Sequence, residues 1–378
     1  MKGLIDRYNR KISYLRVSVT DRCNLRCIYC MPPEGIKPLR HEDILRFEEI
    51  KRIVRYGIDW GIDKVRITGG EPLVRKKVVY LIEALSNLEG IRDLSMTTNG
   101  ILLKDYAEDL KNAGLQRINV SLDSLDANKF NRITKVRKLS LVLDGIEEAL
   151  KRGFEPVKIN VVIMKEINDD EVLDFAKMSL DRPLHIRFIE FMPFCKTRIY
   201  TNCKAKKEAT KTRINPVRSN PAPLNKDRSE YKKVRGASDE YRRTSNGVNT
   251  NKEGAHPFEF VSTSIIRERL KELGELIPAQ VRGAGPAKPF RFEKSLGTIG
   301  FITPMSEHFC TTCNRLRLTA DGRLYPCLFS DYGVDIMGPL RSGAGSEEIR
   351  ELFEDALKNK PEKHFVKGNN QVMSKIGG

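Results

Sequence analysis

Three cysteines near the N-terminus have the spacing of thiol ligands to an iron–sulfur cluster. Cys23, Cys27 and Cys30 follow one another in the order C-x₃-C-x₂-C. Thiolates are soft, anionic ligands that suit iron–sulfur clusters, and three of them leave one iron of a four-iron cluster without a protein ligand. An amino-carboxylate can bind that open iron. Zinc is the less favoured alternative, because zinc sites more often use C-x₂-C pairs that supply four ligands.

A second group of three cysteines lies near the C-terminus, at Cys310, Cys313 and Cys327. It surrounds a strand-like segment that contains Arg315 and Arg317. Residues two apart on a strand project to the same face, so these arginines would form a paired cationic surface beside the cysteines. Guanidinium groups bind phosphate oxygens in pairs and stay charged at any relevant pH, which suits a triphosphate. A solvated basic face is the plainer alternative.

Composition separates this chain from several other classes of protein. Its 378 residues include eight cysteines. The first ten residues lack the apolar run of a signal peptide, and no segment reaches the roughly 18 apolar residues of a membrane span. We therefore expect a cytoplasmic protein without disulfides, in which Cys195 and Cys203 are free thiols without function. A four-thiol structural zinc site would need one of these two cysteines, which fall at or inside an irregular segment.

The positive charge is concentrated in one segment. The formal net charge is +17, and residues 196–256 contain 16 Lys and Arg against 6 Asp and Glu. This segment has few large apolar residues, so it cannot bury enough surface to order itself. We expect an irregular basic insertion that is disordered. The modest charge left on the remaining residues suits an anionic small substrate.

The elements that must position these residues alternate between strands and helices, which predicts βα units around a parallel sheet. The predicted strands are Tyr14–Val19, Lys64–Thr68, Asp93–Thr97, Arg117–Leu122, Val157–Ile163 and Ile186–Phe191. The predicted helices are Asp43–Trp60, Lys76–Leu88, Leu103–Ala113, Ser140–Arg152 and Asp169–Ser179. We expect an α/β fold, an incomplete (β/α)6 TIM-like barrel with its chemistry at the carboxyl ends of the strands.

The expected domains are a partial barrel at 1–195, the basic insertion at 196–256, and a C-terminal region at 257–378. In the last of these, the pattern predicts helices at Ser262–Leu273 and Ser346–Leu357 and strands at Gly297–Thr303 and Leu316–Thr319.

The first cysteine group resembles the radical S-adenosylmethionine (SAM) superfamily, whose C-x₃-C-x₂-C motif is specific. Gly69-Gly70-Glu71-Pro72, after the second predicted strand, supports the resemblance. It implies that Cys23, Cys27 and Cys30 hold a [4Fe-4S] cluster. It also implies a SAM pocket lined by Tyr29, Gly70, Ser121 and Met192.

Longer stretches resemble the MoaA family of GTP 3′,8-cyclases, among them "VRITGGEPL", "VSLDS", "RFIEFMP", "FITPMSEHFCTTCNRLRLTADGRLYPCLFSD" and the terminal "MSKIGG". The resemblance implies a second [4Fe-4S] cluster held by Cys310, Cys313 and Cys327. It implies conversion of GTP to (8S)-3′,8-cyclo-7,8-dihydroguanosine 5′-triphosphate, which opens molybdenum-cofactor biosynthesis. The implied GTP contacts are Arg16, Arg66, Thr97, Lys158, Arg315 and Arg317.

The same resemblance implies further residues and partners. Arg315, Arg317 and the terminal Gly377 and Gly378 would be catalytic, with the two glycines reaching into the active site. The partners would be an electron donor such as flavodoxin or ferredoxin, and cyclic pyranopterin monophosphate synthase as the next enzyme. A homodimer is expected, with neither membrane nor nucleic acid as a partner.

Two alternatives remain open at this point. One is a radical SAM maturase that acts on a peptide and carries an auxiliary cluster; dependence on GTP separates it from a cyclase. The other is a nucleic-acid-binding module stabilised by zinc, which iron and sulfide analysis would identify. The aromatic residues of the basic insertion, Tyr200, Tyr231 and Tyr241, are too sparse to form a platform on which bases stack.

Overall fold

The computed structural model describes residues 3–32, 34–193, 258–283, 285–364 and 373. Strands and helices alternate through the first half. In chain order they are β1 Tyr14–Ser18, α1 Phe47–Asp59, β2 Lys64–Thr68, α2 Val78–Ser86, β3 Asp93–Thr98, α3 Leu103–Asn112, β4 Arg117–Ser121, α4 Ala127–Thr134, α5 Leu139–Lys151, β5 Val157–Ile163, α6 Val172–Lys177 and β6 Leu184–Glu190.

The C-terminal half adds short strands and three helices among its described residues. They are α7 Thr263–Leu270, β7 Ile277–Pro278, β8 Lys288–Arg291, β9 Thr298–Ile302, β10 Arg315–Leu318, β11 Arg323–Tyr325, β12 Val334–Asp335, α8 Met337–Arg341 and α9 Ser346–Lys358. The predicted α/β barrel with a C-terminal extension is confirmed.

The extension contributes to the sheet itself, which the sequence did not predict. Among the described residues, twelve strands form one sheet in the order β12-β11-β10-β1-β2-β3-β4-β5-β6-β9-β8-β7. Strand β10 pairs in parallel with β1, and β9 pairs in parallel with β6. Eight adjacent strands are therefore parallel, and the second cysteine group is carried to the edge of the barrel next to the first.

Alternation along the strands places apolar side chains outside and polar ones inside. Leu15 and Val17 of β1 are fully buried in the apolar core, whereas Arg16 between them points to the opposite face. The helices cover the apolar face. In α1 the buried residues Ile50, Ile53, Val54 and Gly57 recur at helical spacing.

Several predicted boundaries differ from the structure. The helix predicted from Asp43 begins at Phe47, because a 3₁₀ turn over His41–Asp43 comes first. Helix α4 was not predicted, although the side chain of Asp126 caps it by accepting a hydrogen bond from the backbone N–H of Lys129. Strands β7, β8, β11 and β12 and helix α8 were also missed, because elements of two to five residues show too little periodicity.

The chain divides into two compact units, one formed by Met1–Cys195 with Phe258–Gly378 and the other by Lys196–Pro257. The second unit lies outside the described residues, and so does the prediction that 196–256 is disordered. Within the described part of the chain, no helix is both long enough and apolar enough to span a membrane.

Candidate functional site

Both cysteine groups line a single cavity inside the barrel. All six thiols, from Cys23, Cys27, Cys30, Cys310, Cys313 and Cys327, contribute to its wall. The cavity also collects most of the side chains that the resemblance singled out, namely Arg16, Tyr29, Arg66, Gly70, Thr97, Ser121, Met192, Arg315 and Arg317. Residues distant in sequence therefore meet at one site.

The first cysteine loop is held by backbone contacts to helix α4. The backbone N–H groups of Arg26 and Ile28 donate to the carbonyls of Thr134 and Ile133, each at 2.9 Å. Because α4 ends at Thr134, its last turn fixes the loop on both sides of Cys27. The unpredicted helix thus positions the predicted ligands.

The three thiols of this loop fit a positively charged inorganic group. Burial raises the pKa of the Cys23 thiol to about 11. Burial also raises the pKa of Cys27 well above its usual value, and the neighbouring Cys30 and Cys23 add to the shift. Thiolates this close together repel one another, so a bound cationic centre is needed to keep all three deprotonated. An iron–sulfur cluster meets that need.

Tyr29 is oriented by Asp123, which the sequence analysis did not single out. The tyrosine hydroxyl donates to Oδ2 of Asp123 at 2.6 Å, and the backbone N–H of Val162 donates to Oδ1 at 2.9 Å. Burial raises the pKa of Asp123 to about 6, although both hydrogen bonds oppose the shift. The position of Asp123 in "VSLDS", two residues after β4, could have identified it from the sequence, because side chains at the ends of the strands face the site.

The two glycines after β2 lie directly against the cysteine loop. The backbone N–H of Gly70 donates to the carbonyl of Thr20 at 2.7 Å, and that of Glu71 donates to Arg22 at 2.8 Å. A Cβ on Gly70 would lie 2.3 Å from the carbonyl oxygen of Arg22. Glycine is required here because two backbones approach too closely for any side chain.

Gly70→Ala is therefore expected to displace the first cysteine loop. The contact is with backbone atoms, which cannot swing aside, so the variant should lose about 1–3 kcal/mol of stability and most of the iron at this loop. Iron analysis after anaerobic reconstitution checks this. Gly3→Ala is the control, because its Cβ would lie 3.6 Å from its nearest neighbour. Full iron occupancy in Gly70→Ala would show that the loop tolerates the side chain.

The second cysteine group lies in a more electropositive environment. Although burial opposes the charged form, Arg315 and Lys360 lower the pKa of the Cys313 thiol to about 6. The thiol of Cys310 has the opposite shift, since burial raises its pKa. These three thiols also face one cavity and influence one another's charge, so they fit a metal cluster as the first group does.

Arginines from adjacent strands form a basic layer between the two cysteine groups. The register places Arg317 of β10 beside Arg16 of β1, and Arg16 beside Arg66 of β2. Burial lowers the pKa of Arg16 well below its usual value, and Arg317 lowers it further. Burial and Arg315 lower the pKa of Arg317 to about 10. Neighbouring guanidinium groups make it less favourable for each other to carry a positive charge. A bound polyanion would stabilise the charged form of all of them.

Arg187 belongs to this layer and was missed by the sequence analysis. It lines the cavity from β6 and donates through Nη2 to the side-chain oxygen of Asn119 at 2.6 Å. Burial and Arg66 lower its pKa to about 9. A charged residue inside the apolar run of β6 was the available indication. The described residues that line the cavity include five arginines but one carboxylate, Asp123.

Lys158 and Thr97 were both predicted to contact GTP, and the structure places them differently. Lys158 is buried but lies outside the cavity wall, and its Nζ donates to the carbonyl of Arg282 at 2.9 Å. Burial, followed by Arg187, lowers the pKa of Lys158 to about 6. Thr97 does line the cavity, and its hydroxyl has no hydrogen-bond partner among the described residues. Gly377 and Gly378 lie outside the described residues.

Comparisons with known proteins identify the family of the chain. A family model described as "Radical SAM superfamily" matches residues 17–179, and one described as "Molybdenum Cofactor Synthesis C" matches residues 240–366. A curated protein of Thermodesulfovibrio yellowstonii named GTP 3′,8-cyclase is 48% identical over 359 residues, 94% of each chain. One of the same name from Desulforamulus reducens is 42% identical over 380 residues, 99% of this chain and 100% of its own.

Two similar solved structures each align with about half of the chain. The crystal structure of Streptococcus suis SuiB bound to S-adenosylmethionine aligns with 48% of this chain and 42% of its own, at 24% identity and a TM-score of 0.37. That of methylornithine synthase aligns with 48% and 54%, at 16% identity and a TM-score of 0.39. Neither likeness is close enough to carry an argument. The curated relatives do carry one, and the chain belongs to the GTP 3′,8-cyclase family of radical SAM enzymes.

Proposed function

We propose that this chain converts GTP to (8S)-3′,8-cyclo-7,8-dihydroguanosine 5′-triphosphate, the first step of molybdenum-cofactor biosynthesis. The observation that carries the proposal is the basic layer between two groups of three thiols within one cavity. GTP has close to four negative charges, and each phosphate taken out of water needs a cationic partner. The arginine layer supplies that charge.

The position of each residue indicates which role it would have in binding GTP. Arg16, Arg66 and Arg317 lie side by side in register, so they would bind phosphate oxygens. The unpartnered Thr97 hydroxyl would bind another polar group of the nucleotide. Lys158 does not line the cavity and donates to the carbonyl of Arg282, so we propose that it supports the layer from outside the cavity. Orientation matters because a primary alkyl radical takes hydrogen from whichever C–H bond is nearest.

A [4Fe-4S] cluster would be held by the first cysteine group. SAM would be held by Tyr29, Gly70, Ser121 and Met192. When bound, the cluster and SAM would supply radical chemistry that removes a hydrogen atom from ribose C3′ of GTP so that this carbon can add to guanine C8, and one further electron and a proton would complete the dihydro product. The protein's part is to hold the sugar toward that end of the cavity and the purine toward Cys310, Cys313 and Cys327. We propose that these last three hold a second [4Fe-4S] cluster, whose fourth ligand position is left to the purine.

Anaerobic reconstitution followed by incubation with SAM, dithionite and GTP tests the proposal. We expect 5′-deoxyadenosine and cyclised nucleotide to form together, and only when GTP is present. Formation of 5′-deoxyadenosine with a peptide but not with GTP would instead support a peptide maturase. Zinc in place of iron would contradict both enzyme assignments and support the nucleic-acid-binding alternative.

The wider partners are those that the resemblance implies. Reductive cleavage of SAM consumes an electron, and we propose that flavodoxin or ferredoxin delivers it. The cyclised product is a reactive triphosphate, and we propose that cyclic pyranopterin monophosphate synthase takes it next. The homodimer and the cytoplasmic location stay predictions from the sequence.

An extension after Gly378 is expected to abolish cyclisation while both clusters still assemble. The resemblance places the two terminal glycines in the active site, where residues without side chains can pass through a gap that any Cβ would block. Product formation by a C-terminally tagged enzyme, with iron content as the control, checks this. Normal turnover by the tagged enzyme would show that the chain end lies elsewhere.

A further inference from the structure

The second cysteine group is contacted by three basic side chains to which neither the sequence analysis nor the proposed mechanism gives a role. Arg10, Lys360 and His364, here called the clasp, come from the N-terminal segment and from the chain after helix α9. All three are buried. Each contacts a cysteine or the backbone next to one.

Lys360 contacts Cys313 and the residue that precedes Cys327. Its Nζ donates to the carbonyl of Arg315 at 2.8 Å, to the carbonyl of Pro326 at 2.7 Å and to Sγ of Cys313 at 3.7 Å. Pro326 precedes Cys327. Three acceptors match the three N–H donors of an ammonium group. Only 2% of Lys360 is exposed, so these contacts define its position.

Arg10 and His364 contact Cys310, the remaining cysteine of the second group. Nη1 of Arg10 donates to the carbonyl of Cys310 at 2.7 Å, and Nη2 donates to the carbonyl of Pro361 at 2.8 Å. Nδ1 of His364 lies 3.0 Å from Sγ of Cys310, and its ring stacks on Phe329 with 4.6 Å between ring centroids. Asp6 in turn accepts from Nε of Arg10 at 2.5 Å. The clasp therefore contacts all three cysteine positions.

The position of the clasp depends on helix α9, which packs against the barrel. Phe353 of this helix is fully buried and meets Trp60 edge-on, with 5.1 Å between ring centroids. The backbone N–H of Lys360 donates to the carbonyl of Leu357 at the end of the same helix. Helix α9 thus presents Lys360 to the start of β10 and to the chain just after β11. Ligands fixed in this way lose less entropy when they bind a metal.

We propose that the clasp positions the three thiols of the second group for cluster binding, with Lys360 joining the Cys313 and Cys327 loops and His364 donating to the Cys310 sulfur. This rests on the proposed function, because it assumes that the second group binds a cluster. The residues are positioning residues, since they act through the cysteines. Hydrogen bonds to cluster sulfurs also raise the reduction potential, because they withdraw electron density from the metal.

Lys360→Met tests the proposal in the full chain, with Lys358→Met as the matched control, because Lys358 is an exposed lysine at the end of helix α9. We expect iron to fall from about eight to about four atoms per chain in Lys360→Met, and to stay at about eight in the control. The electron paramagnetic resonance signal of the first cluster should persist, which a general loss of folding would not allow. Full iron content and unchanged spectra in Lys360→Met would overturn the proposal.

A milder variant is decisive if Lys360→Met does not fold. His364→Phe keeps a ring to stack on Phe329 but removes the N–H donor, so the second cluster should form with a lower reduction potential while the first is unchanged. An unchanged potential would overturn the proposal. The wild-type chain separates the two hypotheses: about four iron atoms in the wild type would contradict the second cluster itself, before any variant is considered.

Discussion

Arg317→Met is expected to lower kcat/KM for GTP by about 10²–10³. Arg317 lies beside Arg16 of the neighbouring strand and two residues from Arg315 on its own strand, within the basic layer. Loss of a paired guanidinium–phosphate contact costs about 3–4 kcal/mol, which corresponds to that factor. Steady-state formation of cyclised nucleotide, together with GTP binding by equilibrium dialysis under anaerobic conditions, measures the change.

The stability of this variant should not fall with its activity. Burial and Arg315 already disfavour the charge at Arg317, as its lowered pKa of about 10 shows. Methionine removes that charge and keeps an apolar stem of similar length, so the free energy of unfolding should stay the same or rise. Arg323→Met on β11, where the arginine is exposed, is the control. Unchanged GTP affinity in Arg317→Met would contradict the assignment of the layer to phosphate binding.

The parts of this site that the sequence predicted are those encoded in short, contiguous patterns. The first cysteine group and Gly70 lie on single loops that follow β1 and β2, so spacing and strand position were enough to identify them. The alternation of strands and helices likewise predicted the barrel, because each βα unit has its own hydrophobic period.

The missed residues depend on contacts between distant segments. Arg187 faces the cavity because of its strand register. Lys360 and Cys313 are 47 residues apart in sequence, and Lys360 reaches Cys313 because α9 packs against β11 and β12, the strands next to β10. The parallel pairing of β10 with β1 joins residues about 300 apart, and a pattern of four residues such as RLRL contains no information about its partner.

Cys327→Ala is expected to abolish cyclisation and to halve the iron content, from about eight to about four atoms per chain. Cys327 is the third thiol of the second group, and its loop is fixed through the carbonyl of Pro326 by Lys360. Cys203→Ala is the matched control, since the sequence predicts a free thiol without function there. Iron and sulfide analysis, combined with a product assay, checks both variants.

The first cluster of Cys327→Ala should remain able to cleave SAM, because Cys23, Cys27 and Cys30 are on another loop and are held by α4 rather than by the clasp. Cleavage should no longer be coupled to product, since under the proposed mechanism the purine would lose the group that holds C8 near the ribose, and the loss of orientation alone would be worth about 10³ or more in rate. A variant that retains about eight irons, or that still cyclises GTP at the wild-type rate, would show that the second thiol group has a different role.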